Sequence, residues 1–192
     1  MRLFIAIEVG DAIAQEASRV IDMLRHRAAA LAPSARITWI TPERMHLTVR
    51  FIGHVDDARA AAIVDAFREP VRVDPFELAI AGTGTFPLKG APRVIWAGIA
   101  AGGNTSEAVE RQVTTRVTAL GVVPEERPYR PHLTLARVKA PAGLRAAALL
   151  EGLEQHVFGR VSVAAITLFE SRLSPKGPTY VPLLRTPLRG RA

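Results

Sequence analysis

The sequence predicts an α+β fold built from two similar lobes, and three observations support this class. Apolar residues recur at helical spacing in several segments, which is too often for a β-sandwich. Short strands fall in hairpin-like pairs, which is too often for a purely parallel sheet. A His-Leu-Thr strand followed by a helix occurs once in each half, at 46–49 and 132–135. No linker rich in Pro, Gly or Ser divides residues 1–192, so we expect one bilobal domain.

The first half alternates strands with helices. Stretches in which every second residue is apolar are separated by stretches in which apolar residues recur every three to four positions. The sequence therefore predicts strands at 2–9, 36–40 and 45–51, helices at 11–31 and 58–67, and a loop at 52–57.

The second half begins with a β-rich middle. Gly and Pro separate short strands there, and the Gly-rich stretch GTGTF at 82–86 is interpreted as a tight turn. Asn104 is the predicted N-cap of the next helix, which Gly121 ends. The expected elements are strands at 76–82, 84–87, 93–100, 131–137, 159–173 and 179–188, helices at 104–120 and 141–156, and a frayed tail at 189–192.

Composition narrows the class of protein. The absence of cysteine removes disulfides, thiolate metal sites and cysteine nucleophiles, and it is typical of a cytoplasmic protein. The apolar run at the start ends at Glu8, far short of the roughly 20 residues that span a bilayer, so we expect no membrane segment. The net charge is +7, and only three of the 25 basic residues are lysine. Such an arginine excess suits phosphate binding, although on charge alone a coding bias with solvated charges is the favoured explanation.

The two His-Leu-Thr stretches are the main candidate for a functional site. Residues two apart on a strand share a face, so His46 lies beside Thr48 while the leucine between them points into the core. His132 and Thr134 repeat this arrangement. Two opposed imidazoles can supply a general acid and a general base, and the threonine hydroxyls can hold phosphate oxygens. A structural histidine is the favoured explanation of either motif alone, whereas for the repeated motif two structural histidines and one composite site explain the pattern equally well.

Other motifs are weaker. There is no cysteine and no H-E-x-x-H spacing for zinc, and GTGTF lacks the Lys and Ser/Thr of a P-loop, so we expect no metal and no cofactor. Phe86 and Tyr129 lie in loop-like contexts and are candidates for stacking on a base.

The paired motifs HLTV and HLTL are similar to the signature of the 2H phosphoesterase superfamily. The wider context resembles its RNA 2′,3′-cyclic phosphodiesterase branch, historically called 2′-5′ RNA ligase. The matching segments follow the expected order along almost the whole chain: RLFIAI, WITPERMHLTVRFIGHVD, GTFP, PRVIWAGI, RPYRPHLTLARV and LFESRLSPKGPTYVPL.

This resemblance implies two antiparallel sheets that flank a central groove, with helices outside and lobes related by a pseudo-twofold axis. It implies metal-independent hydrolysis of an RNA terminal 2′,3′-cyclic phosphate to a 2′-phosphomonoester. His46 would donate a proton to the leaving 3′ oxygen, and His132 would accept one from water. Thr48 and Thr134 carry over as phosphate ligands. Arg137 joins them only if its strand ends or bulges, because a residue three positions after Thr134 otherwise points to the opposite face.

Two alternatives stay open. A non-catalytic protein that binds RNA ends or nucleotides would use the arginines without turnover. A 2′-5′ RNA ligase or another cyclic-nucleotide phosphodiesterase of the same superfamily would carry the same motifs. The expected partner is an RNA that ends in a 2′,3′-cyclic phosphate, or a small cyclic nucleotide, and we expect the protein to be a monomer.

Overall fold

Strands and helices alternate along residues 1–175 and 177–190, which are the residues that this computed structural model describes. The strands are β1 (Arg2–Glu8), β2 (Arg36–Trp39), β3 (His46–His54), β4 (Phe76–Phe86), β5 (Val94–Ala101), β6 (Leu133–Ala140), β7 (Val157–Val163), β8 (Ala165–Ser174) and β9 (Gly177–Pro187). The helices are α1 (Gly10–Leu31), α2 (Asp57–Ala66), α3 (Gly103–Ala119) and α4 (Ala146–Leu150), and a 3₁₀ turn at Pro42–Arg44 precedes β3.

The named strands form one curled antiparallel sheet with the order β7-β4-β5-β6-β3-β1-β8-β9, and β2 pairs with β6. Strands β3 and β6 pair through Leu47 and Leu133 alone within the described residues. The sheet therefore divides there into two lobes. The Leu47 lobe contains β1, β3, β8 and β9, and the Leu133 lobe contains β2, β4, β5, β6 and β7. The predicted α+β class with two antiparallel halves is confirmed, and the two halves are joined at this one pair.

The helices pack against the face of the sheet that carries the buried apolar side chains, in both lobes. Helix α1 contacts α4 and strands β6 and β7, whereas α3 contacts β3. Leu47 and Leu133 are fully buried in one hydrophobic cluster with the apolar faces of these helices. Burying a leucine side chain stabilises a fold by about 1.5–3 kcal/mol. The junction of the lobes is therefore held by packing as well as by backbone pairing.

Strand β3 is longer than predicted, and the loop expected at 52–57 is wrong as far as His54. The strand continues because its pairing with β1 continues, with Leu3 opposite Gly53 and Arg2 opposite His54. Gly53 has a φ of +83°, a conformation that glycine adopts without a steric penalty. The register against β1 shifts twice, so bulges absorb the extra residues of β3.

The stretch GTGTF is not a turn. Residues 82–86 continue β4, and the side chain of Trp96 from β5 lies across them. A Cβ atom on Gly84 would stand 2.3 Å from the Trp96 ring. Gly84 therefore makes room for an indole on a continuous strand, and Gly82 for the close approach of the Glu154 carbonyl. A local sequence pattern does not distinguish these uses of glycine from a reversal of the chain.

Two helix predictions also need correction. Helix α3 has Gly102 at its N-cap and no side-chain cap, so the predicted cap at Asn104 is wrong. Helix α4 covers Ala146–Leu150 instead of 141–156. Gly143 and Gly152 flank it with φ values of +85° and +75°, which are incompatible with a continuing right-handed helix.

The long strand predicted at 159–173 is two strands separated by Ala164. Strand β7 pairs with β4 in the Leu133 lobe, and β8 pairs with β1 and β9 in the Leu47 lobe. A single residue therefore carries the chain from one lobe to the other.

The end of the described chain is partly anchored. The amide of Arg189, in the tail predicted to fray, donates to the carbonyl of Val71 at 2.9 Å, and residues 191–192 lie outside the described residues. Within the described part of the chain, no helix combines the length and the apolar character needed to cross a bilayer.

Candidate active site

The two His-Leu-Thr motifs cross each other at their leucines. Leu47 of β3 pairs antiparallel with Leu133 of β6. One step of this register in either direction places His46 across from Thr134 and Thr48 across from His132. These four side chains lie on the face opposite the buried leucines, and they are related by an approximate twofold axis through the leucine pair. Diagonal positions of this kind are about 7–8 Å apart in an ideal sheet, so the two imidazoles flank a space that suits one phosphate.

Each histidine ring is held by the carbonyl group two residues before it. Nδ1 of His46 donates to the carbonyl oxygen of Arg44 at 2.8 Å, and Nδ1 of His132 donates to that of Arg130 at 2.7 Å. A carbonyl can only accept, so Nδ1 carries a proton in both rings. Nε2 is therefore the reactive atom in each, as an acceptor when the ring is neutral and as a donor when it is charged.

An aromatic ring stands edge-on to each imidazole. Tyr180 of β9 meets His46 with ring centroids 5.1 Å apart and planes at 85°. Phe86 of β4 meets His132 at the same distance and the same angle. Phe4 also packs on His46 at 4.9 Å. These contacts restrict ring rotation about the Nδ1 hydrogen bond, so both motifs present Nε2 from a rigid support.

Burial and charge both oppose protonation of the imidazoles. Desolvation is the main cause that lowers the pKa of His46 to about 4, and the charge of Arg137 adds to it against the opposing hydrogen bond to Arg44. Desolvation and then Arg137 also lower the pKa of His132, whose hydrogen bond to Arg130 acts in the opposite direction. Both rings are therefore mainly neutral at pH 7 in the protein alone. A negative phosphate beside them would raise both pKa values.

A bulge turns Arg137 towards the same groove. Strand β5 pairs Ile95 with Ala136 but Trp96 with Thr134, so one residue of β6 is left over between these pairs. The alternation of β6 shifts at this bulge, with Leu135 and Ala136 both buried and Arg137 exposed. Arg137 consequently lines the same pocket as Thr134. This is the geometric condition on which its predicted role as a phosphate ligand depends.

Two pockets lie beside the crossing of the motifs. The first, called the arginine pocket, has a volume of about 370 Å³ and is lined by Arg2, Leu3, Phe4, Ile40, Arg44, His46, Thr48, Phe51, Thr134, Arg137, Ser171, Leu173, Pro178 and Tyr180. The second, called the aromatic pocket, has a volume of about 430 Å³ and is lined by Ala81, Gly82, Thr83, Phe86, Leu88, Trp96, Gly98, Ile99, Arg130, Pro131, His132 and Glu154. His46 lines the arginine pocket and His132 lines the aromatic pocket, so the crossing of the motifs lies between the two pockets.

The two candidate stacking residues occupy different environments. Phe86 lines the aromatic pocket and packs on Trp96, with ring centroids 5.3 Å apart. Tyr129 lines neither pocket, and its buried hydroxyl has no hydrogen-bond partner among the described residues. Burial raises its pKa, and the negative charges of Glu110 and Glu107 on α3 raise it further. A base can reach Phe86 from the groove more readily than Tyr129.

Sequence reasoning did not single out Tyr180 or Arg2. Tyr180 belongs to the matching segment near the end of the chain, but its contact with His46 depends on the β8–β9 hairpin and on the pairing of β8 with β1. Arg2 reaches the arginine pocket from the start of β1. Long-range strand pairing creates both positions, and local periodicity does not reveal it.

No group of three or more His, Asp or Glu side chains that could hold a metal ion is found within residues 1–175 and 177–190. The charged groups of the arginine pocket are guanidinium groups, which bind anions.

Comparison with known proteins identifies the family. The model of the family described as LigT-like phosphoesterase matches residues 11–96 and 102–180. The chain belongs to the LigT-like phosphoesterase family. Membership confirms the resemblance drawn from the paired motifs, and with it the prediction of an enzyme. The match includes both motifs and the segment that contains Tyr180.

Members of this family with curated names are similar to the chain over nearly its full length. A protein of Methanothermobacter thermautotrophicus named RNA 2′,3′-cyclic phosphodiesterase is 32% identical over 182 residues, covering 94% of this chain and 95% of its own length. A protein of the same name from Thermotoga maritima is 31% identical and covers 99% of this chain and 97% of its own length.

Solved structures share the fold. A crystal structure from Thermus thermophilus superposes with a TM-score of 0.73 at 28% identity and covers 100% of both chains. The structure of Escherichia coli LigT complexed with 3′-AMP gives a TM-score of 0.73 at 22% identity over 97% of each chain. The LigT likeness supports the fold alone, and it agrees with the two-lobed sheet described above.

Proposed function

We propose that the protein hydrolyses the 2′,3′-cyclic phosphate at the end of an RNA and leaves a 2′-phosphomonoester. The names of its family relatives support this substrate class. The observation that carries the mechanism is the symmetric pair of histidines. The Nδ1 atom of each ring is bound to a backbone carbonyl, and the pairing of the two leucines sets each histidine position opposite a threonine position of the other motif.

Two imidazoles suffice to balance the reaction. Nε2 of His132 takes a proton from water as its oxygen forms a bond to phosphorus. The bond between phosphorus and the 3′ oxygen breaks, and Nε2 of His46 gives its proton to that oxygen. The phosphate remains on the 2′ oxygen. Water is consumed and a 3′-hydroxyl is formed, so the two histidines exchange protonation states and a proton transfer through solvent restores them.

The remaining polar residues of the site bind the phosphate. The hydroxyls of Thr48 and Thr134 donate to its non-bridging oxygens, and the guanidinium of Arg137 stabilises the charge that grows on them in the transition state. The same phosphate charge raises the pKa of His46 from its low value in the protein alone. The donor role of His46 therefore depends on the bound substrate anion.

The direct test uses an oligoribonucleotide that ends in a 2′,3′-cyclic phosphate, incubated with the purified protein in EDTA. We expect turnover to a 2′-phosphate product, identified by its chromatographic mobility against 2′- and 3′-phosphate standards. His46→Ala and His132→Ala should each lower the rate by about 10²–10⁴-fold, since each removes one proton-transfer group. The control is His26→Ala, which changes an exposed histidine of α1.

The outcomes separate this proposal from its alternatives. Salt-sensitive RNA binding without turnover would identify a binding protein. A 3′-phosphate product would overturn the assignment of the leaving oxygen and the roles of the two histidines. Joining of added 5′-hydroxyl RNA in preference to hydrolysis would identify a ligase. Loss of activity in EDTA would contradict metal independence. A monomeric protein located in the cytoplasm remains the accompanying prediction.

A further inference from the structure

The arginine pocket carries more positive charge than one phosphodiester neutralises. Arg2, Arg44 and Arg137 line it, and none of its described lining residues is acidic. A 2′,3′-cyclic phosphate has a single negative charge, and Arg137 already faces the position proposed for it. Arg2 pairs through its backbone with β3, but its side chain makes no hydrogen bond or ion pair with any described residue. Its guanidinium is therefore available to a ligand.

Successive residues on one face of β1 line the groove from the first motif to the far end of the arginine pocket. Every second residue of a strand points to the same face, so Arg2, Phe4 and Ala6 all face the groove. Ala6 lies opposite Thr48 of the first motif. Four residues of strand place the Cα of Arg2 about 13 Å from that of Ala6. Phe4 lies between them, with its ring 4.8 Å from that of Tyr180. Along the groove, the proposed phosphate site therefore comes first, the aromatic rings of Phe4 and Tyr180 come next, and the guanidinium of Arg2 comes last.

The far end of the pocket also has hydroxyl and apolar groups. The register of β1 with β8 places Ser171 next to Arg2, and Ser171 pairs with Tyr180 of β9. Phe51, which is 47% exposed, lines the same wall. An aromatic wall of this kind fits a nucleoside, and the serine and arginine beyond it fit a second phosphate.

We infer that Arg2, with Ser171, holds the phosphate on the 5′ side of the terminal nucleoside. The preferred substrate is then a cyclic-phosphate terminus that carries a 5′-phosphate or the next phosphodiester of an RNA chain. An isolated nucleoside 2′,3′-cyclic phosphate fills only the catalytic end. This inference rests on the proposed function for the position of the first phosphate.

The test compares adenosine 2′,3′-cyclic phosphate with its 5′-phosphorylated form as substrates. We expect the 5′-phosphate to raise kcat/KM about tenfold, which is typical of one partly exposed, charge-assisted contact. Arg2→Ala should abolish this ratio and leave the rate on the unphosphorylated substrate nearly unchanged. Arg36→Ala is the matched control, since it removes the same charge from an exposed position on β2 outside both pockets. A ratio near one in the wild type, or one that Arg2→Ala preserves, overturns the inference.

A binding measurement separates this inference from the proposed function. By calorimetry, the wild type should bind adenosine 2′,5′-bisphosphate about tenfold more tightly than adenosine 2′-phosphate, and Arg2→Ala should bind both equally. If neither cyclic substrate is hydrolysed, the proposed function fails, and this comparison still decides whether the second site exists. If hydrolysis occurs with equal binding of the two ligands in the wild type, the function stands and the second site is wrong.

Discussion

Arg137 affects both motif histidines at once, because its charge lowers the pKa of each. Desolvation is the larger cause, and the guanidinium charge adds to it, so both favour the neutral form of the two rings. The bound phosphate then offsets the guanidinium charge, and one imidazole can take up the proton that it will donate. The same residue would therefore bind the substrate and couple binding to the protonation state of the site.

Replacing Arg137 by Gln should move the pH profile of kcat/KM to higher pH. Removing the positive charge removes one cause that lowers the pKa of His46 and of His132, so both limbs of the bell-shaped profile shift upwards. The rate at the optimum should fall by about 10²-fold, as is common when one transition-state donor is lost. The measurement is initial rates with limiting substrate between pH 4 and 9.

Arg137→Lys provides the control for charge. Lysine keeps the positive charge but cannot form the bidentate hydrogen bonds of the guanidinium. The rate should therefore fall while the pH profile of kcat/KM keeps its position. A profile that stays in place in Arg137→Gln, or that moves equally in both variants, would show that Arg137 does not set the pKa values of the histidines.

For single residues, the rule that positions two apart on a strand share a face correctly placed His46 and Thr48 together, with Leu47 buried beneath them. The position of Arg137 did not follow from that rule, because the bulge in β6 arises from its pairing with β5. The contact of Tyr180 with His46 likewise depends on residues far apart in the chain. Local alternation is encoded in neighbouring residues, whereas register depends on the partner strand.

The β4–β5 pair illustrates how an element adapts to one large side chain. The ring of Trp96 crosses β4 at Gly84, and a Cβ atom on Gly98 would lie 3.3 Å from the same ring and 2.9 Å from the carbonyl oxygen of Ala81. Phe86 then packs on this indole and on His132. The glycines therefore determine the position of a ring that in turn supports the second motif.

Substituting Gly84 by Ala should destabilise the protein by about 1–3 kcal/mol, because the new methyl group overlaps the Trp96 ring. A displaced indole also removes support from Phe86, so turnover should fall more than the fraction of unfolded protein explains. Urea denaturation followed by circular dichroism gives the first quantity, and kcat of the folded enzyme gives the second.

Gly103→Ala is the corresponding control. Its Cβ would meet only Ile99, at an ordinary 3.8 Å, and alanine favours a helix over glycine by up to about 1 kcal/mol. It should leave stability equal or raised. If Gly84→Ala proved as stable as Gly103→Ala, the Trp96 ring would have to move freely, contrary to the packing described.

The predicted helices and strands were correct where the hydrophobic period extended over many residues. They were wrong where a glycine determined how the backbone turns or where an element ends. Helix α1 extends over Gly10–Leu31 against the predicted 11–31. The fourth helix and the GTGTF segment were wrong, because a glycine permits a left-handed turn, a bulge or a close approach without indicating which. The break at Ala164 also left no signal, since the β-branched residues Val161 and Val163 precede it and Ile166 and Thr167 follow it.

For the molecule as a whole, the half-buried imidazoles of the two motifs reduce stability in acid. The pKa of His46 is about 4 in the folded protein and 6.5 when unperturbed. The unfolded chain therefore binds more protons than the folded protein between these values, and the free energy of unfolding falls as the pH is lowered through this range. The difference of the two values corresponds to about 3 kcal/mol for this group.

His46→Gln should remove this part of the acid sensitivity. We expect the free energy of unfolding of the wild type to fall by about 3 kcal/mol more than that of His46→Gln between pH 7 and pH 4, measured by urea denaturation at each pH. His26→Gln, in an exposed position of α1, should behave like the wild type. Parallel curves for His46→Gln and the wild type would mean that His46 titrates alike in both states.

The single-residue passage at Ala164 has a consequence for the order in which the molecule can be made. Strands β8 and β9 complete the lobe that begins with β1, and they supply Ser171 and Tyr180 to the arginine pocket. A chain growing on the ribosome therefore carries both histidine motifs long before it can assemble this pocket. Until β8 emerges, β1 lacks its second neighbour, and its open edge is exposed to wrong pairing. Nascent chains should gain protection of β1 when β8 emerges, and the complete arginine pocket only when β9 follows.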